Sequence, residues 1–163
     1  MLIEPNSTLT EFYKGWENYQ QLLLKTITPL TEEQLELQAA ANLRSVRDIA
    51  QHLIAVRVRW FHDAAGAGSE EVAPIGMWDR PGERPRTTAE LVTGLETSWT
   101  LIHDALSKWT QAELEQPFTV QYHGEQHTLV RKWIIWHVIE HDLNHGGELF
   151  LTLGMHGLPT PDV

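Results

Sequence analysis

Apolar side chains recur at intervals of three and four along four separate stretches of the chain, and each stretch reads as a helix that buries one face. Phe12, Trp16, Tyr19, Leu22, Leu23 and Ile27 predict a first helix, capped by Ser7 or Thr8 and running to about Thr26 before Pro29 stops it. Val46, Ile49, Ala50, Leu53, Ile54, Val56, Trp60 and Phe61 predict a second, capped by Ser45 and ending near Gly66. Leu91, Leu95, Trp99, Ile102 and Leu106 carry a third from Thr87 or Thr88 to about Trp109. A fourth begins near Thr128, passes through Trp133, Ile134, Val138, Leu143 and Leu149, and ends at Gly154, with Pro159 and Pro161 preventing a restart.

The intervening segments carry turn chemistry. Thr31 to Leu35 and Thr110 to Glu115 each look like a short capped turn, the first followed by a connection from Ala39 to Asn42. Residues Ala67 to Arg86 contain Gly68, Pro74, Gly76, Pro81, Gly82 and Pro85, which predicts a long loop with no continuous helix or strand. Pro117 to His127 alternates briefly around a glycine, as a small hairpin or an extended crossover would. Four long helices and two short turns, linked by two connections of similar design, predict an all-α, up-and-down four-helix bundle with a weak echo between its halves. One domain over residues 1–163 is expected, because a chain of this length buries a sizeable core.

Composition narrows the function. Hydrophobic residues make up 42% and charged residues 21% of the chain, and no apolar run approaches the roughly 20 residues that span a bilayer, so a membrane protein is not expected. Met1 to Ser7 lack the basic and apolar regions of a secretory signal, which makes the cytoplasm the expected compartment. With no Cys, disulfides, thiolate metal sites and cysteine nucleophiles are excluded together, and His, Asp and Glu are left as metal ligands. A net charge of -10, from 22 acidic and 12 basic side chains, argues against a nucleic-acid partner. The 9 His and 7 Trp are both high for this length and ask for a reason.

The histidines supply one. His137, His141 and His145 follow one another at spacings of four on the fourth helix, so all three lie on one stripe, with adjacent members about 6 Å apart along the axis. Two adjacent imidazoles can converge on one ion, and spacing alone leaves open which two. A third ligand must come from another element. His52, in the middle of the second helix beside Ile49, Leu53 and Val56, is the natural donor. Each buried imidazole among Trp, Ile and Leu also needs a partner for its ring nitrogens, which an ion would supply.

On these residues the chain resembles the DinB-like (damage-inducible, YfiT-like) superfamily of metalloenzymes over nearly its whole length. His52-Leu53 matches the family's second-helix motif. His141-Asp-Leu-Asn-His145-Gly-Gly-Glu148 matches its late-helix motif, close to His-x-x-x-His-Arg-Gly-Gln, and Leu153 to Pro159 resembles its tail. The resemblance implies a four-helix bundle, usually a homodimer, a point to which the supply of Trp also contributes. It implies one divalent ion, nickel or zinc with iron or manganese as alternatives, on His52, His141 and His145. It also implies transfer or isomerisation reactions that use a low-molecular-weight thiol. The chain departs from the pattern at Gly146 and Glu148, where the family often has Arg and Gln. Gly146-Gly147 within a helix points either to close approach of a neighbouring helix or to a local kink.

Several further residues are candidates around that group. His137 is then a catalytic or substrate contact, a donor behind the ligands, or a core histidine. Glu148, close to the same stripe, is a fourth ligand, a base, or a solvated side chain. Asp142 sits where a His-Glu-x-x-His protease carries its base, although Asp is one methylene shorter and the resemblance is not to a protease. Asp48, which shares a stripe with His52, Arg59 and Asp63, either orients the His52 ring or pairs with a nearby Arg. Trp16, Trp60, Trp99, Trp133 and Trp136 follow the helical period and are expected in the core, while Trp78 either covers the site as a lid or anchors its loop. His123 and His127 are the only rival cluster.

Three neutral imidazoles leave an ion its full charge and open positions, as in catalytic sites. The expected function is a metal-dependent enzyme acting on a small molecule, by metal-hydroxide hydrolysis or by transfer of a metal-bound thiolate. The alternatives are a non-catalytic, stress-related module that binds metal or a small ligand, or a bundle that the metal merely staples.

Overall fold

A computed structural model of the chain describes residues 13–122 and 124–162; the caps expected at Ser7 or Thr8, together with Phe12, lie outside them. The first described helix, α1 (Lys14–Ile27), buries Trp16, Tyr19, Leu23 and Ile27. Thr31 and Gln34 then exchange hydrogen bonds at the mouth of a 3₁₀ turn (Gln34–Glu36) that buries Leu35. Ser45 opens α2 (Val46–Val58): its side chain accepts from the Asp48 backbone, and the Asp48 carboxylate accepts in return. The helix continues as a π-helical turn over Arg59–Ala64, and Gly66, at φ 70°, lets the chain leave it.

Thr87 caps α3 (Thr88–Lys108) and Thr110 caps the short α4 (Gln111–Leu114), each with the same reciprocal arrangement. Strands β1 (Pro117–Tyr122) and β2 (Glu125–Val130) pair antiparallel, with Pro117 opposite Val130 and Gly124 in the bend at φ 82°. The chain ends in α5 (Arg131–Met155). The protein is thus mostly helical, with α2 packed against both α3 and α5. Among the described residues no helix is long and apolar enough to cross a membrane.

The expectations need correction in four places. The hairpin breaks the all-α class, and because β2 runs to Val130 the last helix starts at Arg131 rather than near Thr128. The long loop is not devoid of helix, since Glu70–Met77 winds as a 3₁₀ stretch, a form that tolerates Pro74. Trp136 and Leu143 fit the apolar period, yet they are 63% and 50% exposed. Together with Leu151 they form an apolar outer face on α5.

The core itself is divided. One cluster gathers Leu23, Ile49, Leu53, Leu95 and Leu149, and the other Trp16, Phe61, Ile102, Ile134 and Val138. Between them lies a buried polar layer. Arg57 donates to both oxygens of Asp142 and to Gln20 Oε1, and Trp16 Nε1 donates to Asp142 at 2.6 Å. This layer ties α1, α2 and α5 together and fixes the rotation of α5. With Asp142 turned inward, the neighbouring histidines face the groove between α2 and α5.

Candidate metal centre

His52 on α2 and His141 and His145 on α5 each present one ring nitrogen, and the three atoms lie within 4.8 Å of one another. The ring centroids are 4.8 Å apart for His52 and His145, 5.1 Å for His141 and His145, and 5.5 Å for His52 and His141. Adjacent turns of one helix supply two rings and the facing helix supplies the third, which is the arrangement that the spacing of four allows.

Two rings are oriented by carboxylates. His52 Nδ1 donates to Asp79 Oδ2 at 2.6 Å, and Arg59 braces that carboxylate from the other side at 2.5 and 2.9 Å. His145 Nδ1 donates to Glu148 Oε2 at 2.9 Å. These bonds leave Nε2 of each ring as its ligand atom, the pattern of metal-binding histidines backed by carboxylates. His141 differs: its Nδ1 is buried with no hydrogen-bond partner among the described residues. An orphaned nitrogen among three convergent imidazoles fits a divalent ion.

The electrostatics keep the two α5 rings in their ligand form. Burial, and then the neighbouring His137, His145 and His52, push the His141 pKa down to about 4. Burial also lowers His145, against the opposing pull of Glu148. Burial alone would raise Asp79, but the hydrogen bonds from His52 and Arg59 outweigh it and hold the carboxyl well below its usual range. At neutral pH His141 and His145 are therefore uncharged, so protons compete little for the site.

His137 stands one turn away, outside the convergent group. Its ring stacks on Trp133 at 4.6 Å, meets Trp60 edge-on at 4.9 Å, and lies 4.8 Å from the His141 ring. With His52 and His141 it lines a cleft of about 550 Å³ whose other walls include Trp60, Val120 and Arg80. A second hollow of about 470 Å³, lined by Arg44, Asp79 and Arg80 among others, also borders His52.

Other candidates fall elsewhere. Asp142 is fully buried on Arg57 and Trp16, so it cannot serve as a base in the cleft. Asp48 is taken up by the Ser45 cap and does not orient His52. That role falls to Asp79, a residue in the proline-rich segment that no periodicity marks. Glu148 serves the His145 ring. Trp78 is an anchor rather than a lid: its ring packs against Gly94, where a Cβ would come within 2.9 Å of it, and its carbonyl accepts from Gln51. At Gly146 the close approach is made by the Tyr19 ring, 2.8 Å from where a Cβ would sit, while Gly147 faces open space. Of the rival pair, His123 lies outside the described residues, and His127 is paired across the hairpin with Val120.

Two solved structures share this fold. A DinB-like protein of Bacillus cereus ATCC 10987 superposes with a TM-score of 0.73 at 21% identity, over 93% of this chain and 95% of its own. A DinB-like protein of Bacillus subtilis, YjoA, gives 0.65 at 13% identity, over 89% and 91%. A search of curated proteins returned no match. The sequence profile of the DinB family matches residues 5–163, and on that match, with the fold and the histidine group in agreement, the chain belongs to the DinB family.

Proposed function

We propose that this protein is a metal-dependent enzyme of small-molecule chemistry, a homodimer of four-helix bundles formed by α1, α2, α3 and α5, that transfers a thiol. One nickel or zinc ion per chain sits on His52, His141 and His145. The observation that carries the reading is the convergence of three ring nitrogens from His52, His141 and His145, beside a cleft large enough for a substrate. An ion held there supplies a Lewis acid that favours the deprotonated form of a bound water or thiol. The protein's share is to hold two rings with Asp79 and Glu148, to keep His141 and His145 uncharged, and to offer an aromatic wall at Trp60.

Transfer is preferred to hydrolysis because the resemblance to the DinB-like family implies reactions that use small thiols, and a thiol, more acidic than water, is the more readily deprotonated on an ion. The two carboxylates bonded to the histidine group orient rings. The apolar face of Trp136, Leu143 and Leu151 supports the dimer. The test pairs elemental analysis with a turnover panel of small thiols and electrophiles. About one ion per chain and metal-dependent thiol consumption are expected. An ion without turnover supports a binding module instead, and no ion after loading with nickel or zinc removes the proposal.

A further inference from the structure

The arginines of this chain are almost all spoken for. Arg47 is paired with Glu32 and Glu36, Arg57 with Asp142, and Arg59 with Asp79; Arg84 is paired with Glu90, Arg86 with Glu83, and Arg131 with Glu113. Arg44 and Arg80 are the exceptions: neither guanidinium has a hydrogen bond or ion pair with another described residue. Both line the same hollow beside His52.

The carboxylates of that hollow offset them only in part. Asp79 is paired with Arg59 and Glu83 with Arg86, while Asp48, hydrogen-bonded to the neutral Ser45, keeps its charge. Set against Asp48, Arg44 and Arg80 leave one net positive charge on that wall, in a protein whose net charge is -10. A guanidinium presents several donors in a fixed plane, which suits carboxylate and phosphate oxygens. Arg80 also borders the cleft of His137, His141 and Trp60, and His52 lines both hollows, so an anion held there lies beside one of the metal-centre histidines.

We propose that Arg44 and Arg80 form an anion subsite that binds a carboxylate or phosphate group of the substrate while its reacting end faces the histidine group. This rests on the metal-site reading for the location of the reacting end, but the subsite itself stands on the two arginines. It makes the thiol substrate an acidic one, and leaves the Trp60 cleft for a less polar second substrate.

The long-range field supports a clear test, because an acidic protein repels anions and only a local site reverses the preference. Zinc-loaded protein is titrated calorimetrically with mercaptosuccinate and, separately, with 2-mercaptoethanol. Mercaptosuccinate is expected to bind at least ~10-fold more tightly, the margin that about 1.4 kcal/mol of charge-assisted hydrogen bonding confers. Arg44→Gln and Arg80→Gln should each remove most of that margin, leaving zinc content and 2-mercaptoethanol affinity unchanged. Equal affinities in the unmodified protein, or a margin that survives both substitutions, overturn the subsite. Failure of zinc to bind overturns the metal reading instead. The subsite is then judged on the metal-free protein with succinate and inorganic phosphate, which also separates the two anion types. Binding that Arg80→Gln abolishes sustains it, and no binding of either ion overturns it.

Discussion

His52 Nδ1 lies 2.6 Å from Asp79 Oδ2, a contact that joins the middle of α2 to the segment following the 3₁₀ stretch, 27 residues further along the chain. Arg59, just beyond α2, completes the brace, so the ring is held from two directions. Removing a carboxylate behind a ligand histidine typically costs about 10- to 100-fold in metal affinity. Asp79→Ala is expected to lose that much in competition with a chelator, and Asp79→Asn less, because an amide oxygen still accepts from the ring. Unchanged affinity in Asp79→Ala would show that the ring needs no such partner.

The two adjacent glycines of α5 should respond in opposite senses. At Gly146 a methyl group would run into the Tyr19 ring, itself packed on Phe150, so Gly146→Ala is expected to cost about 1–3 kcal/mol. At Gly147 nothing lies within 4 Å, and Gly147→Ala should gain about 0.5–1 kcal/mol from helix propensity. Urea denaturation of both variants checks the sign of each.

Asp142 marks the division between framework and site. Asp142→Ala strands Arg57 without a counter-charge in the core, an arrangement that typically costs about 3–5 kcal/mol. The double variant Arg57→Met, Asp142→Leu should recover much of that loss. If Asp142→Ala were instead stable but inactive, the carboxylate would be a reacting group after all.

Much of this was legible in the residues. The 3.6-residue period located α1, α2, α3 and α5, and the spacing of four put the α5 histidines on one stripe. The inward turn of Asp142 was not read: its place between His141 and His145 in the motif suggested a base, whereas it shares its side of the helix with the buried Val138, Gly146 and Leu149. Asp79 was not legible, because its place beside His52 depends on how a proline-rich segment folds back. The exposure of Trp136 and Leu143 could not be read either, since periodicity marks apolar positions without saying whether they face the core. Arg44 and Arg80 look like ordinary surface cations in the sequence, and only the pairing of the other arginines sets them apart.

The lowered histidine pKa values predict acid sensitivity of the metal-free protein. His141 takes up a proton in the unfolded chain near pH 6.5 but in the folded protein only at about 4, so the unfolded state binds more protons between those values. The contribution of this ring to stability is complete above about pH 6.5 and is lost as the pH falls towards about 4. Because the ring is only half-buried, solvent screening reduces the effect, to about 1 kcal/mol or a few degrees in Tm. Thermal unfolding from pH 7 to 4.5 should therefore show a steeper decline for the unmodified protein than for His141→Gln, and parallel curves would refute the assignment.

The sharpest contrast lies within the α5 stripe, where His137, His141 and His145 are chemically alike but differently placed. His141 and His145 converge with His52, whereas His137 is held by Trp133 and Trp60 on the wall of the cleft. Replacing His52, His141 or His145 by Ala removes one of three ligand atoms and is expected to abolish tight metal binding. His137→Ala removes none. It should keep about one ion per chain, with affinity reduced by no more than the 10- to 100-fold typical of a neighbouring group. It should instead change the shape of the cleft, and so raise KM for whatever substrate the turnover panel identifies. Chelator competition must be run on all four variants side by side, because presence or absence of metal does not separate a weakened site from a dismantled one. If His137→Ala releases the ion as fully as His141→Ala while His145→Ala retains it, the helical pair is His137 with His141, and the site lies one turn nearer the hairpin.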